Sequence, residues 1–155
     1  MGRRHLIGAA ALAALAFGLA TPAGAAVSWR VISDGPSRGT VPSSAPTGYV
    51  ALDRAATETF SAHLGGGSAT ISHVDFSKNA VVAIFGEFGC EDSLIDVSSL
   101  SQHGTSLSVK LVQEQPAPGS AQCMAIFGTY RALLVPKASL RKPYPTRAVV
   151  TFARS

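Results

Sequence analysis

VDFSKNAVVAIFGEFGC, residues 74–90, carries six consecutive apolar side chains at positions 80–85. Successive residues of a strand point to opposite faces, so a strand of this composition has no face that water can wet and must be covered on both. The run therefore predicts a strand in the interior of a sheet. Asp75, Ser77, Lys78 and Asn79 ahead of it are turn formers, and Gly86 and Gly89 interrupt it behind.

Upstream, Asp53 stands where it can cap a helix over residues 54–64, because Ala56, Phe60 and Leu64 recur at four-residue spacing and form one apolar stripe. Gly65, Gly66 and Gly67 end that helix through glycine's access to left-handed backbone. A phosphate cradle would need the glycines to open a helix after a strand, and here they follow one. Residues 69–74 read as a short strand or an extended lead-in to the central strand. Residues 28–32 read as a first strand with Trp29 and Val31 on one face, and residues 34–46, with Gly35, Pro36, Gly39, Pro42 and Pro46, as a loop.

Downstream, Ile95 and Val97 share a strand face, while Leu107, Val109 and Leu111 alternate with Ser106, Ser108 and Lys110. This is the pattern of half-buried antiparallel strands, joined as a hairpin through residues 101–105. Pro116 and Pro118 break the ladder, residues 123–135 return to strand composition with a bend at Gly128, Pro136 stops them, and residues 146–152 read as the closing strand. The expected fold class is α+β: mainly antiparallel β-sheet with one helix packed on one face.

The first 25 residues have another character. Arg3 and Arg4 precede an apolar run at 6–20 and the small residues Ala23, Gly24 and Ala25, the pattern of a secretory leader cleaved before Ala26. Residues 26–155 then form a single exported domain, periplasmic or extracellular, with no stable membrane anchor after cleavage. Removing two of the 13 Lys and Arg leaves 11 against 9 acidic residues, a net charge of +2, too small and too scattered to suggest a nucleic-acid partner. In an oxidising compartment Cys90 and Cys123 permit one connectivity, so a disulfide is expected. It would close a loop of 33 residues, for which chain entropy suggests about 3–4 kcal/mol.

Asp75, Phe76, Ser77, Val81, Val82 and Gly86, then Glu114, Pro116 and Gly119, then Tyr130, Val135, Pro136 and Lys137 form three spaced motifs. In this order they resemble the family of exported bacterial domains named for the C-terminal part of the PrcB protease-complex accessory lipoprotein, over residues 74–152. The chain departs from the family pattern at Phe88-Gly89-Cys90 and at Thr129-Tyr130-Arg131, and it lacks the lipid-bearing cysteine. The resemblance implies a noncatalytic accessory role toward an exported protease.

Residue chemistry offers little else. His73 and Asp75 would share a strand face and could form a proton relay, but the weightier reading gives Asp75 to the turn before the central strand. Glu87, Glu91 and Asp92 lack the ligand spacing of a calcium loop, and no nucleophile elbow, zinc helix or dinucleotide fingerprint is present. Phe85, Phe88, Phe127 and Tyr130 could line an apolar pocket, though strand aromatics more often fill a core. No catalytic residue, cofactor or metal is expected. The candidate interaction surface is Glu87, Phe88, Glu91, Asp92, Pro118, Tyr130 and Arg131, on connections beside a rigid scaffold. An extracellular protease inhibitor and a carrier of a small apolar ligand are the alternatives.

Overall fold

Ala80, Val81, Val82, Ala83, Ile84 and Phe85 are all at most 1% exposed, and the strand that holds them has a neighbour on each side. The computed structural model describes residues 24–38, 45–87, 95–113 and 128–152, with backbone alone for Glu87, Ile95 and Gln113. In chain order its strands are β1 (Ala25–Ala26), β2 (Arg30–Pro36), β3 (Thr47–Ala51), β4 (Asn79–Glu87), β5 (Ile95–His103), β6 (Ser106–Gln113), β7 (Gly128–Pro136) and β8 (Arg147–Phe152). They form one sheet in the order β1-β5-β6-β8-β3-β4-β7-β2. The pairing is antiparallel except between β6 and β8, which run parallel, so the sheet is mainly antiparallel, as expected from the sequence, with one parallel junction.

The sheet curls on itself. Ala80, Val82 and Ile84 from β4 and Leu133 and Val135 from β7 share a core with Val97, Leu100, Leu107, Val109 and Leu111 from β5 and β6. The seam between the two halves is the junction of β3 with β8, where Gly48 lies opposite Ala148. A Cβ on Gly48 would stand 2.7 Å from the Ala148 Cβ and 2.8 Å from Val150 Cγ2, so only glycine lets the halves approach this closely. A bulge between Val97 and Ser99 re-aims β5, so Leu100 follows Val97 into the core despite the three-residue spacing.

Val81, Ala83 and Phe85, on the other face of β4, meet Phe60, Leu64, Ile71, Tyr130 and Ala132. The apolar stripe read from the sequence is here: Phe60 and Leu64 are fully buried and Ala56 packs beside them. The helix itself is shorter than expected. Residues 54–64 supply a 3₁₀ turn, Ala55–Thr57, and one helical turn, α1 (Glu58–Ser61). Asp53 Oδ1 does accept the Ala56 N–H, at 2.8 Å. The Thr57 and Thr59 hydroxyls donate to the carbonyls of Arg54 and Ala56, three residues back, and His63 and Leu64 donate likewise to Phe60 and Ser61. Such i−3 bonding tightens the backbone away from a regular α-helix.

Residues 69–74 are not extended. They contribute most of α2 (Ser68–Ser72), reached through a reversal at Gly65, whose φ is +48°. Both edges of β4 are occupied by β3 and β7, so an extended segment leading into it could not pair with β4 itself. A helical turn satisfies its own amides and buries Ile71 to 3% exposure. The first strand also shifts: β2 starts at Arg30 and runs through Pro36 into the segment expected as loop, Trp29 packs against the first core, and Val31 stays 39% exposed.

The hairpin is tighter than expected, with β5 ending at His103, β6 starting at Ser106 and Gly104 at φ +56°. Gln102, 6% exposed, reaches out of the hairpin to the connection before β8. Its Nε2 donates to the carbonyls of Gly104 and Arg141, at 2.8 Å each, and of Pro143, at 3.3 Å, while its Oε1 accepts the Arg141 N–H at 2.8 Å. One amide thereby holds a proline-containing connection that has no ladder of its own.

Candidate functional site

The turn that leads into β4 is built by Asp75. Its Oδ1 accepts the Ser77 N–H at 3.0 Å and the Ser77 hydroxyl at 2.6 Å, and its main-chain carbonyl accepts the N–H groups of Lys78 and Asn79. The hydroxyl of Ser77, then its N–H, and the nearby Lys78 ammonium at 3.7 Å hold the Asp75 carboxyl below its ordinary value of 3.8. Lys137, beyond the end of β7, clamps this turn from outside: its Nζ donates to the Phe76 carbonyl at 2.6 Å and its N–H to that of Lys78 at 2.8 Å. Two of the three spaced sequence motifs thus meet, with Asn79 opposite Pro136 in the ladder.

Beside the turn opens a cleft of about 320 Å³. Arg30 and Ile32 of β2 form one wall, Leu134 of β7 lies with them, and Thr70, His73 and Val74, from α2 and the residues after it, form the other; Asp75 and Asn79 close the end. His73 and Asp75 therefore line the same cleft, but not as a relay. The bonds of the Asp75 carboxylate run to Ser77 and Lys78, and among the described residues no acid bonds the His73 ring. The Arg30 guanidinium, exposed at the rim, likewise has no bonded partner among the described residues. The cleft sets three apolar side chains, Ile32, Val74 and Leu134, among polar ones that include the Arg30 guanidinium, the His73 imidazole and the Asp75 carboxylate.

The residues expected to form a contact surface are distributed differently. Tyr130 is not on a surface loop: it is 4% exposed, its ring lies 6.2 Å from that of Phe85, and its hydroxyl is hydrogen-bonded to Ser33 Oγ at 2.8 Å. Gly67 comes so close that a Cβ there would collide with that hydroxyl and with Ser33 Oγ. The correction follows from register, because Tyr130 lies opposite Phe85 in the ladder and alternation turns both toward the helical cover. Phe85 and Tyr130 thus fill a core.

Arg131 points to the other face with its side chain 14% exposed, and it bridges Asp34 of β2 and Asp96 of β5. It ties β7 to β5, strands of the two different halves, away from the β3–β8 seam. Glu87 is the last residue of β4, opposite Gly128. Phe88, Cys90, Glu91, Asp92, Pro118, Cys123 and Phe127 lie outside the described residues, so the expected disulfide does too.

Arg30, Ile32, Thr70 and Leu134 were not singled out by the sequence. They come together because β2 lies at the end of the sheet beyond β7 and α2 folds back over it, an arrangement with no local signal. No protein-family model, curated protein or solved structure matches this chain.

Proposed function

We propose that this chain is a noncatalytic exported binding domain that holds a protein partner outside the cytoplasm, and that the partner it assists or stabilises is an exported protease. The observation that carries the binding role is the cleft between β2 and α2, where the Arg30 and His73 side chains, with no bonded partner among the described residues, stand beside the apolar side chains of Ile32, Val74 and Leu134. A polar group left without a bonded partner beside apolar side chains in a cleft is available to fix the orientation of a ligand. Asp75 supports the noncatalytic half of the reading, because the carboxylate that would orient His73 is engaged in the turn. Export rests on the leader pattern, and the protease partner on the resemblance of the spaced motifs.

Cross-linking of the purified chain to the extracytoplasmic fraction of its own cells tests this. The expected result is one dominant protein adduct, competed by excess unlabelled chain and unchanged in Cys-independent cross-linking chemistry. A chain that forms no such adduct but turns over a peptide or ester substrate, with the activity lost in His73→Ala, would overturn the proposal.

A further inference from the structure

Within that binding reading, we infer that the cleft between β2 and α2 receives the C-terminal carboxylate of a peptide whose last residue is apolar. Ile32, Val74 and Leu134 supply an apolar lining, and a space of about 320 Å³ has the size of a small-ligand pocket and accommodates one or two residues. Arg30 contributes a planar fork of donors matched to a carboxylate, and His73 and Thr70 add polar groups on the opposite wall. One end of the site carries negative charge, the Asp75 carboxylate, which Ser77 and Lys78 hold in the turn. A terminal carboxylate is therefore directed to the Arg30 side, and its apolar side chain to the lining.

A chain terminus fits better than a free acid because of where the cleft lies. β2 is the last strand of the sheet, so the wall carrying Arg30 borders solvent rather than another strand among the described residues. The rest of a peptide can leave past that edge. The edge itself is guarded against strand addition by a bulge between Val31 and Ser33, by the charges of Arg30 and Asp34, and by Pro36, which leaves end-on recognition as the mode the site favours.

Fluorescence anisotropy with a labelled Gly/Ser octapeptide ending in Leu-Val tests the inference on the purified chain. The free-acid peptide is expected to bind, and its C-terminal amide to bind about ten-fold or more weakly, the size of one lost charge-assisted contact. Arg30→Gln should weaken the acid about ten-fold and leave the amide unchanged, and Arg30→Lys should recover part of the loss. Because Arg30 is exposed, thermal melting of these variants should match the parent. Equal binding of acid and amide, no effect of Arg30→Gln, or absence of binding by the parent chain would overturn the inference. So would competition by N-acetylvaline at the concentration of the peptide, which would make the site one for small acids. If the parent chain forms the protein adduct described above but binds no free-acid peptide, the binding role stands and this site falls.

Discussion

Ala80, Val82 and Ile84 are covered by strands of their own sheet, whereas Val81, Ala83 and Phe85 are covered by α1, α2 and the turns around them. The first cover is tied to β4 through a continuous succession of backbone ladders, β3 to β8 to β6 to β5, and is reinforced by the Arg131 bridge to Asp96. The second has helical pieces of four and five residues, too short to be stable alone, so it is held chiefly by the side chains it buries. Its aromatic rings, Tyr49, Phe60, Phe85 and Tyr130, lie in successive contacts with centroids 5.8–6.4 Å apart. Equal burial on the two faces therefore does not mean equal resistance to local opening, and the candidate cleft lies on the weaker side, against α2.

Phe60→Ala breaks the comparison most severely. It removes the ring that joins α1 to β4, and a loss of about 3–5 kcal/mol is expected in denaturant titration. Amide exchange in the same variant should rise earliest in α1 and α2, with β4 and β6 still protected. Uniform loss of protection would mean that the two covers open as one unit.

Gln102→Leu probes the strand-built cover, where the side chain is polar and the cost is of another kind. The Arg141 N–H loses its acceptor and the carbonyls of Arg141 and Pro143 lose a donor, in a part-buried setting, so about 1 kcal/mol should be lost. Exchange at the Arg141 amide should accelerate while α1 and α2 keep parental rates. An unchanged midpoint would show that the connection before β8 is held by its own packing.

Acid titration gives the smallest effect, at the turn that leads into β4. The Asp75 carboxyl is held below 3.8, so in the folded chain it resists protonation more than in the unfolded chain. Its contribution to stability is present above that value and is lost as pH falls through the lower, folded-state value. Ser77→Ala removes the first cause of the depression, and the slope of urea midpoints against pH in the acid range should flatten. A slope equal to that of the parent would assign acid sensitivity to other carboxylates.

How far these features could be read without coordinates depends on whether their cause is local. The Asp75 turn was legible because an aspartate reaches backbone two residues on, and the burial of Phe60 and Leu64 because their spacing matches a helical face. Tyr130 misled, since its place next to Arg131 in a motif gave no sign of which face of β7 each would take. Gln102 left no signal, as the connection it holds, at Arg141 and Pro143, is about forty residues away. The cleft was half visible: His73 and Asp75 stood out as chemistry, but Arg30 and Leu134 join them only through the pairing of β2 with β7.

By itself the sequence determined that residues 80–85 form a strand covered on both faces, that Leu107, Val109 and Leu111 share a buried side, and that Pro136 ends a strand, because each follows from solvation, alternation or a missing amide hydrogen. Only the tertiary structure decided that β6 and β8 pair in parallel, that residues 68–72 coil rather than extend, and which side chains meet in the cleft. Those outcomes depend on which edges and faces remain open once β4 has taken its neighbours, a competition between distant segments that no local window of residues contains.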